Sequence, residues 1–456
     1  MRKRDLALAP LALAAVLALS GAGVLPAAAA DPTVVHPGGL GAAGPWFRLQ
    51  DDPGNAGIAH GTQEVAAFAD ATWLDGSLHL GIGGDETSQA AHAFAAPVTL
   101  TSLLTSGVSY STYQNSARST AGNVGANLQF PMICGGVFTT ISFEPGRHTD
   151  TEGRPGVVPD TWQTFESPGT TLWRTSRAVA GVPAQGDASL ATFAAACNAP
   201  GDGALGVIAR VGRLGSPTAT LDTYVDGITV AGNTYNFAVE GRAAAKVTAP
   251  ARIVAGAAPA AASVTYTNPA DGPEYPDTGT ELTLKGPQGL RAADVTVMAQ
   301  GKRIALTAHP DGTLTGTLPK GTVLAPSGSS ATQFTIAVAE GAPAGPLTVS
   351  AELTAAANGG ERTPTGVEAL AALRIEPKPA ETPPPTPPTT APDEPSKPTP
   401  TTSPSTVPPA PGPAAPTGPS LAETGAGKYD LRLGIGAVSL VVLGSGIVLW
   451  ARRRSS

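Results

Sequence analysis

The stretch Leu221-Asp222-Thr223-Tyr224-Val225-Asp226-Gly227-Ile228-Thr229-Val230-Ala231-Gly232-Asn233-Thr234-Tyr235-Asn236-Phe237 decides the fold. Residues 221–230 alternate apolar and polar side chains, the period of two that marks a half-buried strand. A Gly/Asn cluster interrupts the run, and an aromatic and β-branched segment follows it. Upstream the same signature recurs at 78–82, 108–113, 127–130, 137–143, 162–166 and 204–211, with Gly, Pro and Asn clusters between the runs. Many short strands with regular turns argue for a sandwich or barrel. A short apolar stretch at 190–196 reads as a helix beside the sheets.

Composition points the same way. The chain has 456 residues, enough for two or three domains plus tails. It carries 55 Gly and 45 Pro but only 14% charged and 5% aromatic residues, so it is rich in turns and poor in long helices. Net charge is -7, spread without a basic stripe, which argues against a nucleic-acid partner. A second set of alternating runs lies at 264–267, 281–285, 295–298, 303–307, 313–317, 333–338 and 347–353. Those strands suit a second sandwich over 246–376, after a first over 31–245. The Ala/Pro-rich residues 250–261 read as a connector. His309 stands beside Pro310-Asp311-Gly312 and reads as a turn residue, so this second unit is assigned a stalk role.

The two ends are targeting segments. Arg2, Lys3 and Arg4 precede an apolar stretch at 6–25, and Ala28-Ala29-Ala30 fits signal-peptide cleavage after Ala30, so the mature chain is expected to start at Asp31. Residues 377–420 are dominated by Pro, Thr, Ser and Ala, too poor in apolar side chains to offset the entropy of ordering. An extended polyproline spacer of this length reaches on the order of 130 Å. Its Ser and Thr are candidate acceptors for O-glycosylation. Residues 433–450 contain no charge and, at ~1.5 Å per residue, make a transmembrane helix of ~27 Å. Arg452, Arg453 and Arg454 in the tail 451–456 place the extreme C-terminus in the cytoplasm.

Just before that span stands Leu421-Ala422-Glu423-Thr424-Gly425. It resembles the sortase recognition pentapeptide Leu-Pro-x-Thr-Gly in its Leu-Ala-x-Thr-Gly form, associated with high-GC Gram-positive bacteria. The resemblance implies cleavage between Thr424 and Gly425 and transfer of the Thr424 carbonyl, through an enzyme thioester, to a peptidoglycan amine. Implied partners are a sortase of the Leu-Ala-x-Thr-Gly type and peptidoglycan. The implied location is the cell wall, reached by a secreted precursor held transiently in the membrane. Tyr224-Val225-Asp226-Gly227-Ile228-Thr229-Val230 and Gly232-Asn233-Thr234-Tyr235-Asn236-Phe237 resemble the last strands of actinobacterial secreted jelly-roll modules, many of whose relatives bind carbohydrate. Gly345-Pro346-Leu347-Thr348-Val349 resembles the late strands of bacterial immunoglobulin-like stalk modules.

Candidate chemistry is sparse. No Gly-x-Ser-x-Gly, His-Glu-x-x-His, P-loop or Cys-x-x-Cys motif appears, and the 6 histidines have no metal-ligand spacing. Cys134 and Cys197 are the only cysteines, and an exported pair is expected to form a disulfide. Asp51-Asp52, Asp85-Glu86, Glu144, Glu166, Asp222 and Asp226 are the acids a glycosidase would draw on. Asp222 and Asp226 lie four apart on one strand face, and the resemblance to jelly-roll modules, which commonly hold a structural calcium with a final-strand Asp, implies a candidate Ca²⁺ pair there. The competing reading has Asp226 bonding a neighbouring turn. Sugar platforms would come from Trp46, Trp73, Trp162, Trp173, Tyr110, Tyr113, Tyr224 and Tyr235, with Trp162 and Trp173 nominated. The expectation is an all-β, non-enzymatic, wall-anchored surface protein: a jelly-roll-like head of adhesive or carbohydrate-binding role on an immunoglobulin-like stalk. A wall-linked glycan hydrolase and a purely structural surface protein are the alternatives.

Overall fold

Strand Thr220–Val230 lies at the centre of a seven-stranded sheet. It pairs antiparallel with Ser77–Gly83, Ser109–Gln114 and Asn233–Phe237. Leu221, Thr223 and Val225 face inward, and Asp222, Tyr224 and Asp226 face outward. At Gly227, whose φ of +60° only glycine adopts freely, the strand bulges. The extra residue shifts the parity, so Ile228 and Val230 return to the core at 0% and 1% exposure. Without the bulge, one of the two apolar sets would face water.

The computed structural model describes residues 31–380, apart from 52–56, 213, 215 and 320. The signal segment 1–30 with Ala30, the spacer beyond residue 380, Leu421–Gly425, the span 433–450 and the tail 451–456 lie outside the described residues. So does Asp52.

A second seven-stranded sheet faces the first. Its order is Asp187–Ser189, Leu172–Thr175, Val137–Phe143, Asn127–Cys134, Gly203–Val211, Ser88–Val98 and Phe47–Arg48. Inward side chains from both sheets, among them Leu78, Leu80, Phe130, Ile141, Trp173 and Val207, form one continuous core. Helices Leu100–Ser106 and Leu190–Ala196 close one end. Thr99 and Ser189 cap them by accepting from the backbone N–H groups of Ser102 and Thr192.

Residues from Ala244 onward build a second sandwich. A five-stranded sheet centred on Ala260–Thr267 and Ser329–Val338 packs on a six-stranded sheet centred on Gly345–Ala355 and Gly279–Lys285. The supposed connector is part of this sandwich: Arg252–Val254 pairs with Thr363–Glu376, and Ala260–Thr267 starts inside the 250–261 stretch. The two sandwiches are joined closely. Ala69 and Leu74 of the first pack into the core of the second. The Glu274 N–H donates to the Ala67 carbonyl at 2.7 Å. The all-β class, one sandwich followed by another, is therefore what the structure shows.

Candidate functional site

The outward face of the second sheet carries a cleft of about 850 Å³. Strand pleating builds it. On Asn127–Cys134, Leu128 and Phe130 point into the core, so Asn127 and Gln129 point out. On Val137–Phe143 the outward pair is Thr140 and Ser142, and on Leu172–Thr175 it is Leu172 and Arg174. Arg210 comes from Gly203–Val211 and lies opposite Asn127 in the ladder. The turn after Val137–Phe143 supplies Glu144 and Arg147.

Four arginines line this cleft, Arg147, Arg174, Arg177 and Arg210, against two acids, Asp51 and Glu144. They are held in three different ways. Arg147 grips Asp187 with both nitrogens, Nη2–Oδ2 at 2.6 Å and Nη1–Oδ1 at 3.0 Å, and reaches Glu144 at 3.4 Å. Arg174 meets the same two acids at 3.3 and 3.5 Å. This four-membered network holds the Asp187 carboxyl below its usual pKa, through the Arg147 hydrogen bonds first. Arg177 lies over the Phe138 ring, 5.7 Å from its centre, and that ring is 43% exposed. Arg210 is different. Its Nε is buried without a hydrogen-bond partner, and the Asn127 Oδ1 across the ladder is also buried and unpartnered. Burial pulls the Arg210 pKa down, with the field of Asp51 opposing. The cleft thus offers planar cationic donors, amides, hydroxyls and one exposed aromatic face. These groups bind and orient polar ligands.

The nominated platforms do not face solvent. Trp173 is 0% exposed, stacked at 4.9 Å on Phe130, with its Nε1–H donating to Ser167 Oγ. Trp162 is 5% exposed and its Nε1–H donates to the Ala69 carbonyl near the junction of the sandwiches. Both are structural, because each large ring offsets more free energy inside than on the surface. Arg174, the neighbour of Trp173, is the residue that reaches the cleft.

The two carboxylates of the candidate Ca²⁺ pair take separate partners. Asp222 and Asp226 do share a face, but Tyr224 stands between them and their partners differ. Asp222 Oδ2 bonds His79 Nε2 at 2.9 Å, and the other ring nitrogen meets Glu64 at 3.3 Å. Burial works against the charged imidazole, yet the bonds and fields of Asp222 and Glu64 win and raise its pKa. Asp226 Oδ1 accepts the Phe237 N–H at 2.7 Å. Burial pushes its carboxyl well above the usual range, and the field of Asp70 adds to this. Among the described residues no cluster of three or more His, Cys, Asp or Glu side chains is arranged to hold a metal ion. Cys134 and Cys197 are joined in a disulfide that ties the end of Asn127–Cys134 to the cap of Leu190–Ala196.

Sequence reasoning passed over Arg147, Arg174, Arg177 and Arg210. The available signal was an arginine beside a buried residue on each strand, Trp173-Arg174 and Ala209-Arg210.

No protein-family model matches this chain, and no curated protein matches it. Solved structures do. AvmM, which catalyses macrocyclisation in alchivemycin A biosynthesis, is 19% identical over 32% of this chain and 94% of its own, with a TM-score of 0.26. The N-terminal domain of the Streptococcus gordonii adhesin Sgo0707 is 8% identical over 66% of this chain and 61% of its own, at 0.20. The T6 backbone pilin of serotype M6 Streptococcus pyogenes is 9% identical over 58% of this chain and 63% of its own, also at 0.20. Likeness at this level carries no argument about function, so the reading of this chain rests on its own residues.

Proposed function

We propose that this chain is a sortase-anchored surface protein whose first sandwich binds a carbohydrate in an adhesive role. A signal segment cut after Ala30 exports it. Residues 433–450 and Arg452–454 hold it in the membrane while a sortase recognises Leu421-Ala422-Glu423-Thr424-Gly425. Thr424 is then linked to peptidoglycan. Residues 377–420 carry the folded part through the wall, with 246–376 as a stalk beneath the ligand-binding unit at 31–245. Support for anchoring is the order of these signals along the chain.

The observation that carries the binding reading is the cleft itself. Its amides, hydroxyls and guanidinium groups have the mixed donors and acceptors that sugar hydroxyls require. Glu144 is committed to Arg147 and Arg174, which favours binding over hydrolysis by a carboxylate pair.

Two experiments test this. Thr424→Ala is expected to shift the protein from the muramidase-released wall fraction to the membrane or medium, and wall attachment that survives the change refutes the anchoring. A glycan array probed with the full-length chain is expected to show binding that Asn127→Ala and Gln129→Ala weaken. Binding insensitive to both substitutions refutes the assignment of the cleft.

A further inference from the structure

We infer that the ligand of the cleft is a carboxylated glycan, bound by a carboxylate seated against Arg210. This rests on the reading of the cleft as the binding site and goes one step further, to the chemistry of what it takes.

The argument is one of charge and capacity. The whole chain has a net charge of -7, yet the cleft gathers four arginines against three acids, Asp51 and Glu144 in its lining and Asp187 beside them. Arg147 and Arg174 are already matched by Glu144 and Asp187. They form a wall that is fixed in place and has little charge to spare. Arg210 and Arg177 have only Asp51 to oppose them and so carry the excess positive charge. Arg177 leans on an aromatic ring. Arg210 sits lower, in the face of the sheet, with its guanidinium against Gly212, where a Cβ would come within 3.3 Å of Cζ, Nε and Nη2. A side chain there would shift the guanidinium by a few tenths of an ångström, so the glycine lets it lie close to the backbone.

The Arg210 Nε is buried and closed to a ligand, which leaves the Nη end of the guanidinium as the part that lines the cleft. The geometry that best satisfies a flat fork is a carboxylate taking two parallel hydrogen bonds. The sheet therefore holds ready one half of such a pair.

The surroundings select a sugar acid over an acidic peptide. Peptides bound to sheets usually add as a strand at an open edge, where backbone groups are free. This cleft lies on the face, over Asn127–Cys134 and Val137–Phe143, whose backbones are already paired on both sides. What it presents are Asn127, Gln129, Thr140 and Ser142, matched to vicinal hydroxyls. The exposed Phe138 ring offers a surface for the apolar face of a pyranose.

The test uses the full-length chain and matched probes. Binding to oligogalacturonate and to hyaluronan is measured by calorimetry, alongside the same polymers after carboxyl reduction to the neutral sugar. Poly-glutamate and a sulfated glycan without carboxylates form the other arms. The acidic glycans are expected to bind, and their reduced forms to bind at least tenfold more weakly. Arg210→Gln should weaken acidic binding about 10- to 100-fold, the range of a lost charge-assisted contact, and leave the neutral form unaffected. Arg177→Gln, at an exposed position, should lower affinity without changing the melting temperature, which covers the case that Arg210→Gln folds poorly. Equal binding of acidic and reduced forms, both lost with Asn127→Ala, overturns this inference and keeps the cleft as a sugar site. Binding to poly-glutamate or to the sulfated glycan alone overturns it in favour of a polypeptide or a sulfate ligand. Failure of every probe, with other glycans binding away from the cleft, overturns both readings.

Discussion

Reducing the Cys134–Cys197 bridge removes one covalent constraint and leaves every atom but two hydrogens unchanged, so its effect can be worked in advance. The cysteines are separated by 63 positions, a segment that includes all of Val137–Phe143, Leu172–Thr175 and the Leu190–Ala196 helix. Closing a loop of that size restricts the unfolded chain by about 4 kcal/mol at 25 °C. For a unit of roughly two hundred residues, each kcal/mol moves the midpoint by about 2–4 °C, so the first sandwich should lose roughly 8–16 °C. Both cysteines are buried, at 5% and 1% exposure, so native protein should resist reduction until it opens. The assay is differential scanning calorimetry of the oxidised protein and of protein reduced in denaturant and refolded with reductant. The second sandwich contains neither cysteine and has its own core, so its transition is the internal reference. A shift of the first transition under about 3 °C would refute the loop-closure reasoning. An equal shift of both transitions would mean instead that the contacts of Ala69 and Leu74 couple the sandwiches into one unfolding unit.

Other outcomes follow from single side chains. Burial raises the Asp70 carboxyl to about 6, and raises Asp226 well above the usual range. Both hold their protons more tightly when folded, so the stability they contribute is full below about pH 4 and is lost as pH rises through the folded values. Asp226→Asn keeps Oδ1 to accept the Phe237 N–H and removes the charge. The variant should therefore equal or exceed the wild type at pH 7, with the gap closing toward pH 4 in urea titrations, and a loss of more than about 1 kcal/mol at pH 7 would contradict this. Trp173→Ala should cost about 3–5 kcal/mol, the range for emptying a large buried ring. Arg174→Ala, one residue along and facing the cleft, should cost under about 1 kcal/mol because its ion pairs are partly exposed. Similar losses at the two positions would contradict the inward and outward assignment of that strand.

Much of the fold was legible because it is local. Alternation marks Val137–Phe143 to the residue, and the runs near 204–211 and 221–230 to within one. The strand Ser88–Val98 was not legible, since Ala-Ala-His-Ala-Phe-Ala-Ala carries little contrast between its two faces. Thr363–Glu376 was missed for a related reason. Its Glu-Ala-Leu-Ala-Ala-Leu core has high helix propensity and becomes a strand through pairing with Gly345–Ala355 and Arg252–Val254.

By itself the sequence determines the all-β class and the pairing of its only two cysteines. The proposed segments for export and wall attachment are likewise local, because such segments act as short linear stretches. The cleft is a tertiary fact. Asn127, Arg147, Arg174 and Arg210 span more than eighty positions and meet only because strand register stacks their outward faces side by side. Asp222 and Asp226 share a strand face, while His79 and Asp70 are brought to them by strand pairing and by residues 67–76. Local pattern tells which residues share a face. Long-range register decides what that face meets.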